Sequence, residues 1–162
     1  MDIQKIYKAN TKKIGKQIEF QEEITSTHMV AKEMANSNGN NGKMIIAETQ
    51  TQGIGTKGRT WYTGKENNIA MTILLYPKCE IQNLQGITKT IAISMKKAIK
   101  QLYNIDLIIK PPNDLLLNNK KICGILTEIN TIGKKINYLL ISVGFNVNET
   151  RFSTETEGIA TS

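Results

Sequence analysis

Three short stretches of the chain hold the residues whose types and spacing best suit chemistry. The first is Gln50 followed by Gly53-Ile54-Gly55-Thr56-Lys57-Gly58-Arg59. Glycines at that spacing let the backbone curl until successive N–H groups face an anion. Lys57 and Arg59 add positive charge, and a guanidinium grips a phosphate or carboxylate through two parallel hydrogen bonds. The segment is not a P-loop, because no Gly-Lys-Ser/Thr follows it. Nor is it a dinucleotide-binding fingerprint, because it runs into Arg59-Thr60-Trp61-Tyr62 rather than a helix. Taken alone, such a loop is more often a mobile surface turn.

The second stretch is Lys110-Pro111-Pro112-Asn113-Asp114. Prolines fix the backbone where Asn113 can bond a ribose or phosphate and Asp114 a metal ion or cation. A plain β-turn with Asn-Asp at its corner is the alternative. The third is Lys121-Ile122-Cys123-Gly124-Ile125-Leu126-Thr127-Glu128. Its opening lysine could aim an ammonium into a pocket, and Gly124 would let a ligand lie against the backbone. An amphipathic strand with a solvent-facing lysine fits the same residues.

The elements that position these stretches are legible in outline. Residues 1–24 are polar and weakly patterned, with a lead-in strand or loop around Ile14 to Phe20. Ser26 or Thr27 is a candidate N-cap, its hydroxyl accepting an orphan N–H, for a helix to about Asn36. Lys43 to Glu48 reads as a buried strand, and Asn68 to Tyr76 as another stopped by Pro77. Leu84, Ile87, Ile91, Met95, Ala98 and Leu102 recur at helical spacing, which predicts an amphipathic helix over 84–103. Ile105 to Lys110 is a strand. Leu115 to Leu117 and Lys121 to Asn130 form a hairpin about Asn118-Asn119, and Gly133 turns the chain into Asn137 to Asn146. The sum is an α+β domain: a mixed, largely antiparallel sheet flanked by helices, with the helices on one side. Thr156 to Ser162 reads as a helix just beginning, so the chain is expected to be a fragment.

Composition excludes several classes. At 162 residues, 40% hydrophobic and 22% charged, the chain suits one domain with a single core. No stretch approaches the roughly 18 apolar residues of a membrane span, and Met1-Asp2-Ile3-Gln4-Lys5 lacks a signal-peptide core; a cytoplasmic protein is expected. Cys79 and Cys123 are far apart and read as buried free thiols. His28 is the sole histidine, so a multi-histidine zinc site is ruled out. The net charge of +7 comes from scattered lysines, with Arg59 and Arg151 the only arginines. Without a basic run interleaved with aromatics, it supports only weak attraction to acidic partners or polyphosphates.

Each stretch is weak alone, but order and joint content are specific. Ser26-Thr27, Gln50 with GIGTKGR and Trp61, KPPND, Lys121 with Gly124, and Gly144-Phe145-Asn146 together resemble the biotin protein ligase family over roughly residues 23–150. The family's loop is usually written GRGRxGR, its middle motif KWPND and its lysine strand KxxGIL-E. Gly53, Gly55, Gly58 and Arg59 match the first. Lys110, Pro112, Asn113 and Asp114 match the second, and Lys121, Gly124, Ile125, Leu126 and Glu128 the third.

The resemblance implies a core like that of biotin ligases and class II aminoacyl-tRNA synthetases. Residues 1–22 would be a lead-in and 23–162 the catalytic domain, stopping before the family's SH3-like barrel. It implies a biotin ureido site at Ser26, Thr27 and Gln50, with His28 standing where Asn is common. Gly53, Gly55 and Gly124 would also contact biotin. Lys121 would reach the carboxylate and α-phosphate as a catalytic residue, with Arg59. The nucleotide would meet Lys57, Gly58, Arg59, Trp61, Lys110, Asn113, Asp114 and Asn146. ATP with Mg2+ would activate biotin as biotinyl-5′-AMP, for transfer to a lysine of a biotin carboxyl carrier protein. No room precedes Ser26 for a DNA-binding domain, so the non-regulatory type without DNA is implied; edge-strand homodimers occur in the family.

Departures are Ile54 and Thr56 where two further arginines are common, and Pro111 in place of tryptophan. A lipoate or octanoate ligase on the same fold is the nearest alternative, though its Arg-Arg and Gly-Gly-Gly signatures are missing. A binding-only relative is a second, and a basic nucleic-acid binder a third.

Overall fold

Buried and half-buried side chains alternate along Asn68–Leu75, so strand β3 is covered on both faces. The structure, a computed structural model, describes residues 1–8, 14–37, 39–64, 68–150, 152 and 156–162. Its strands are β1 (Ile18–Ile24), β2 (Lys43–Gln50), β3, β4 (Ile108–Lys110), β5 (Asp114–Leu117), β6 (Lys120–Ile132) and β7 (Lys135–Asn146). They form one seven-stranded sheet in the order β1-β2-β3-β7-β6-β5-β4. Only β1 and β2 run parallel; the remaining neighbours are antiparallel. The α+β class expected above is the fold observed. Residues drawn as lead-in contribute to it, because β1 is a full member of the sheet.

Helices cover opposite faces, not one side as the pattern suggested. Helix α2 (Thr27–Met34) packs Ala31, with Ala35 just beyond it, against Ile45, Ala47, Leu74 and Leu140. Helix α3 (Ile87–Tyr103) lays Ile91, Ala92, Met95 and Ile99 on Leu115, Ile125, Ile141 and Val143. Both alternating sets of β3 and β7 carry buried apolar residues, so each face needs a cover. A short helix, α1 (Ile3–Lys8), precedes β1 and buries nothing.

Local chemistry explains most boundaries. Asn118 and Asn119 both take positive φ, at 50° and 63°, the left-handed pair a tight hairpin requires. Helix α3 starts later than predicted, at Ile87, after a 3-10 turn at Ile81–Leu84, and ends on left-handed Asn104. The strand expected from Ile105 forms only at Ile108. The helix expected over 156–162 is absent. After a single turn the chain extends, and Lys121 exchanges hydrogen bonds with Ile159 and Thr161, at 2.8 Å each. Backbone groups at the start of β6 thus hold this segment.

Candidate active site

Strand register decides which side chains share the α2 face. Thr72 stands opposite Ser142, Ser142 opposite Leu126, and Gly144 opposite Gly124. Moving along β6 and β7, polar groups thus give way to a bare glycine pair, and Lys121 lies just beyond. Helix α2 begins over the polar end, and the end of β2 supplies Gln50.

The polar end is a closed network. Gln50 Oε1 accepts from the Thr27 N–H at 2.9 Å and from Thr27 Oγ1 at 3.1 Å. Gln50 Nε2 donates to Thr63 Oγ1 at 3.1 Å. Thr72 Oγ1 lies 3.0 Å from Thr27 Oγ1 and 2.8 Å from Ser142 Oγ. His28 spends Nδ1 on Ser142 Oγ at 2.8 Å and Nε2 on Glu128 Oε2 at 3.0 Å. Burial would raise the Glu128 carboxyl, but hydrogen bonds from Lys32 and His28 outweigh it and hold the group below its ordinary value. Ser26 is the N-cap residue, but its hydroxyl does not cap. The Ser26 Oγ is buried and has no hydrogen-bond partner among the described residues, as a group that meets a ligand would.

Over the glycine pair lies the indole of Trp61. A Cβ at Gly144 would sit 2.1 Å from Trp61 Cε2, and one at Gly124 2.9 Å from Cζ3. Only glycine admits the ring so close. The Trp61 Nε1 is buried without a hydrogen-bond partner among the described residues. Lys121 Nζ lies 5.4 Å from the ring centroid, a cation–π contact. The same ammonium is 2.8 Å from Asp114 Oδ1; the contact is an ion pair without the alignment of a hydrogen bond. With Trp61 in place the hollow is about 40 Å³, room for little beyond a water molecule.

The glycine-rich loop folds as a small hairpin. Ile54 bridges Thr60, Trp61 N–H donates to Gly53 O at 2.8 Å, and Gly55 N–H to Arg59 O at 2.7 Å. The Gly55 N–H is therefore used within the loop instead of facing an anion as expected. Lys57, at φ 59°, and Gly58, at φ 72°, make its tip.

Ser26, Thr27, His28, Gln50, Gly55, Trp61, Asn113, Lys121 and Gly124 of the expected residues line the hollow together. Gly53 supports the loop behind them. Lys57, Gly58, Arg59 and Lys110 are exposed and outside the hollow. Asn113 Nδ2 donates to Ile125 O at 3.0 Å, so the β4–β5 turn is pinned to β6. Asn146 Nδ2 is bound to Thr161 O at 3.0 Å. Thr63, Thr72 and Ser142 escaped the sequence reading, because a lone hydroxyl in a loop or strand carries no sign of what it faces. Ser142 had one signal: it stands two residues before Gly144, hence on the same face.

Fold and site together define an α+β domain with a hollow lined by buried hydrogen-bonding groups and a lysine cation. The family model for the biotin/lipoate A/B protein ligase family matches residues 18–146, and the chain belongs to that family. It is 35% identical over 154 residues to the bifunctional ligase/repressor BirA of Bacillus spizizenii, covering 94% of this chain and 47% of that protein. The chain thus spans about half the length of that relative. Among solved structures, the biotin protein ligase of Aquifex aeolicus in complex with biotin and ATP superposes with a TM-score of 0.76 at 28% identity. That match covers 90% of this chain and 59% of the other. The Leishmania major biotin protein ligase with biotinyl-5-AMP gives 0.71 at 30% identity, covering 90% and 62%.

Proposed function

We propose that this chain is the catalytic part of a biotin protein ligase. It activates biotin with ATP as biotinyl-5′-AMP and passes the biotinyl group to a lysine of a biotin carboxyl carrier protein. One observation carries the reading: Ser26, Thr27 and Gln50 meet at one end of a glycine-floored hollow that has Lys121 at its other end. A cyclic urea needs donors and acceptors at its head, and a carboxylate needs a cation at its tail.

In the first step the biotin carboxylate attacks the α-phosphate and pyrophosphate leaves. The Lys121 ammonium offsets negative charge building on the reacting oxygens, exchanging Asp114 for the substrate. In the second step the carrier's lysine amine attacks the mixed anhydride and AMP leaves. The loop from Gly53 to Trp61, closing over the hollow, excludes the water that would hydrolyse the intermediate. Trp61, Asn113, Lys110 and Asn146 are assigned to the nucleotide side, with Lys57, Gly58 and Arg59 brought in by loop closure.

Among the described residues no group of three or more His, Cys, Asp or Glu side chains could hold a metal. Magnesium would come with the triphosphate, whose charge the ion neutralises. No described helix is long and apolar enough to cross a membrane, and a cytoplasmic site of action goes with the reading. The repressor activity named for the Bacillus relative is not part of it.

Pyrophosphate release with biotin, ATP and magnesium tests the proposal. Release with octanoate or lipoate but not biotin would sink it. A second reading, a relative that holds biotin without turnover, has one observation in its favour. Ile54 and Thr56 line the hollow where the family's arginines are common, while Arg59 lies outside. Tight biotin binding with no pyrophosphate released would select it.

A further inference from the structure

Thr63 lies in the irregular segment after Trp61 and is only 2% exposed. Its hydroxyl oxygen accepts from Gln50 Nε2 at 3.1 Å. The other end of the same amide is committed to α2. The Thr27 N–H can only donate, and Thr27 Oγ1 donates beside it, so the atom facing both is Gln50 Oε1, at 2.9 and 3.1 Å. That contact fixes which way the amide lies, with Nε2 toward Thr63. Nε2 has two protons. Thr63 takes one, and no acceptor among the described residues takes the other.

The glycine-rich loop meets this amide at both of its ends. A Cβ at Gly53 would lie 3.0 Å from Gln50 Nε2 and 2.2 Å from Trp61 O, so the start of the loop passes directly beside the amide. Thr63, two residues beyond Trp61, holds Nε2 from the far end. Next to it Gly64 is fitted against the buried Glu149, where a Cβ would stand 2.4 Å from Oε2. The hydroxyl is therefore carried on backbone packed into the domain. Gln50 itself lines the hollow. A long, rotamer-rich side chain held in place before the ligand arrives spares binding the cost of ordering it.

Resting on the biotin reading above, we propose that Thr63 is a positioning residue for the head group of the ligand. By holding one Nε2 proton of Gln50 it directs the other into the hollow. There a carbonyl oxygen, such as that of a cyclic urea, accepts it. Thr63 acts on the ligand only through Gln50.

Calorimetric titration of the 162-residue chain with biotin tests this. Thr63→Val keeps the shape and removes the acceptor, and the biotin Kd should rise about fivefold, the worth of one ordinary hydrogen bond. Thr63→Ser keeps the hydroxyl and should stay within about twofold of wild type. Gln50→Ala removes the group through which Thr63 acts. Adding Thr63→Val to it should change Kd by less than about twofold, because coupled residues do not add. A Thr63→Val Kd equal to wild type overturns the proposal. So does a serine variant as weak as the valine one, or an undiminished loss from Thr63→Val in the Gln50→Ala background. If Gln50→Ala binds too weakly to titrate, the contrast between valine and serine decides. If Thr63→Val does not fold, Thr63→Ala takes its place. Each of these failures leaves wild-type biotin binding, and so the biotin reading, standing; a wild-type chain that binds no biotin removes both.

Discussion

At the residue scale the site turns on one ring and two missing side chains. Trp61 is the only tryptophan, and it lies on the floor that Gly124 and Gly144 leave bare. A bicyclic ligand needs that floor, so the indole must move before the hollow can fill. Biotin binding should therefore change the tryptophan emission directly. Gly144→Ala tests the arrangement, because its Cβ would stand 2.1 Å from Trp61 Cε2. The indole should leave, shifting emission to longer wavelength in the free protein. Biotin affinity should fall by about tenfold or more, as one methyl group in a fitted pocket typically costs. An alanine variant with wild-type emission and wild-type biotin affinity would show that the ring does not rest there. The importance of Gly124 was readable from its place in the lysine strand. That Trp61 lies on it was not, because the contact joins residues far apart in sequence.

Glu128 shows what elements contribute, since it ties α2 to the sheet through Lys32 and His28. Its carboxyl is held below the ordinary value: burial acts upward and the two hydrogen bonds outweigh it. A depressed carboxylate stabilises the fold fully above its unfolded value and loses that contribution as pH falls through the folded one. Glu128→Gln should thus cost about 1 kcal/mol near neutral pH, a figure kept low because the group is a third exposed. The cost should shrink at an acid pH well below the ordinary carboxylate value. Urea unfolding of both proteins at the two pH values measures it, and an equal deficit at both would mean that packing, not charge, is lost. Helix α3 was legible because apolar residues recur at helical spacing, and α2 because a hydroxyl residue suited to an N-cap opens it. Helix α1 was not, because Ile3–Lys8 buries nothing and leaves no pattern. The end of the chain misled for a different reason. Thr156 to Ser162 has helix-like composition, and contacts with distant residues, the Lys121 backbone and the Asn146 side chain among them, hold it extended. The same limit explains the helices: local signals revealed α2 and α3, while the sheet face each covers depends on pairing between distant strands.

The molecule as a whole carries +7, and its substrates under the proposed function differ sharply in charge. Biotin brings a single carboxylate, and the buried polar groups at Thr27, Gln50 and Ser26 that would hold its head owe little to distant charge. ATP brings a polyphosphate, and the loop cations Lys57 and Arg59 that would meet it stand exposed, where salt screens them well. Raising ionic strength from about 20 mM to about 300 mM shortens the screening length from about 20 Å to about 6 Å. The KM for ATP should rise severalfold over that range while the Kd for biotin stays within about twofold. An acidic carrier domain should behave like ATP, its association slowing with salt. Equal sensitivity for biotin and ATP would mean that salt acts on the fold instead. No sensitivity for either would mean that the lysines scattered over the surface have no part in bringing the nucleotide to the site.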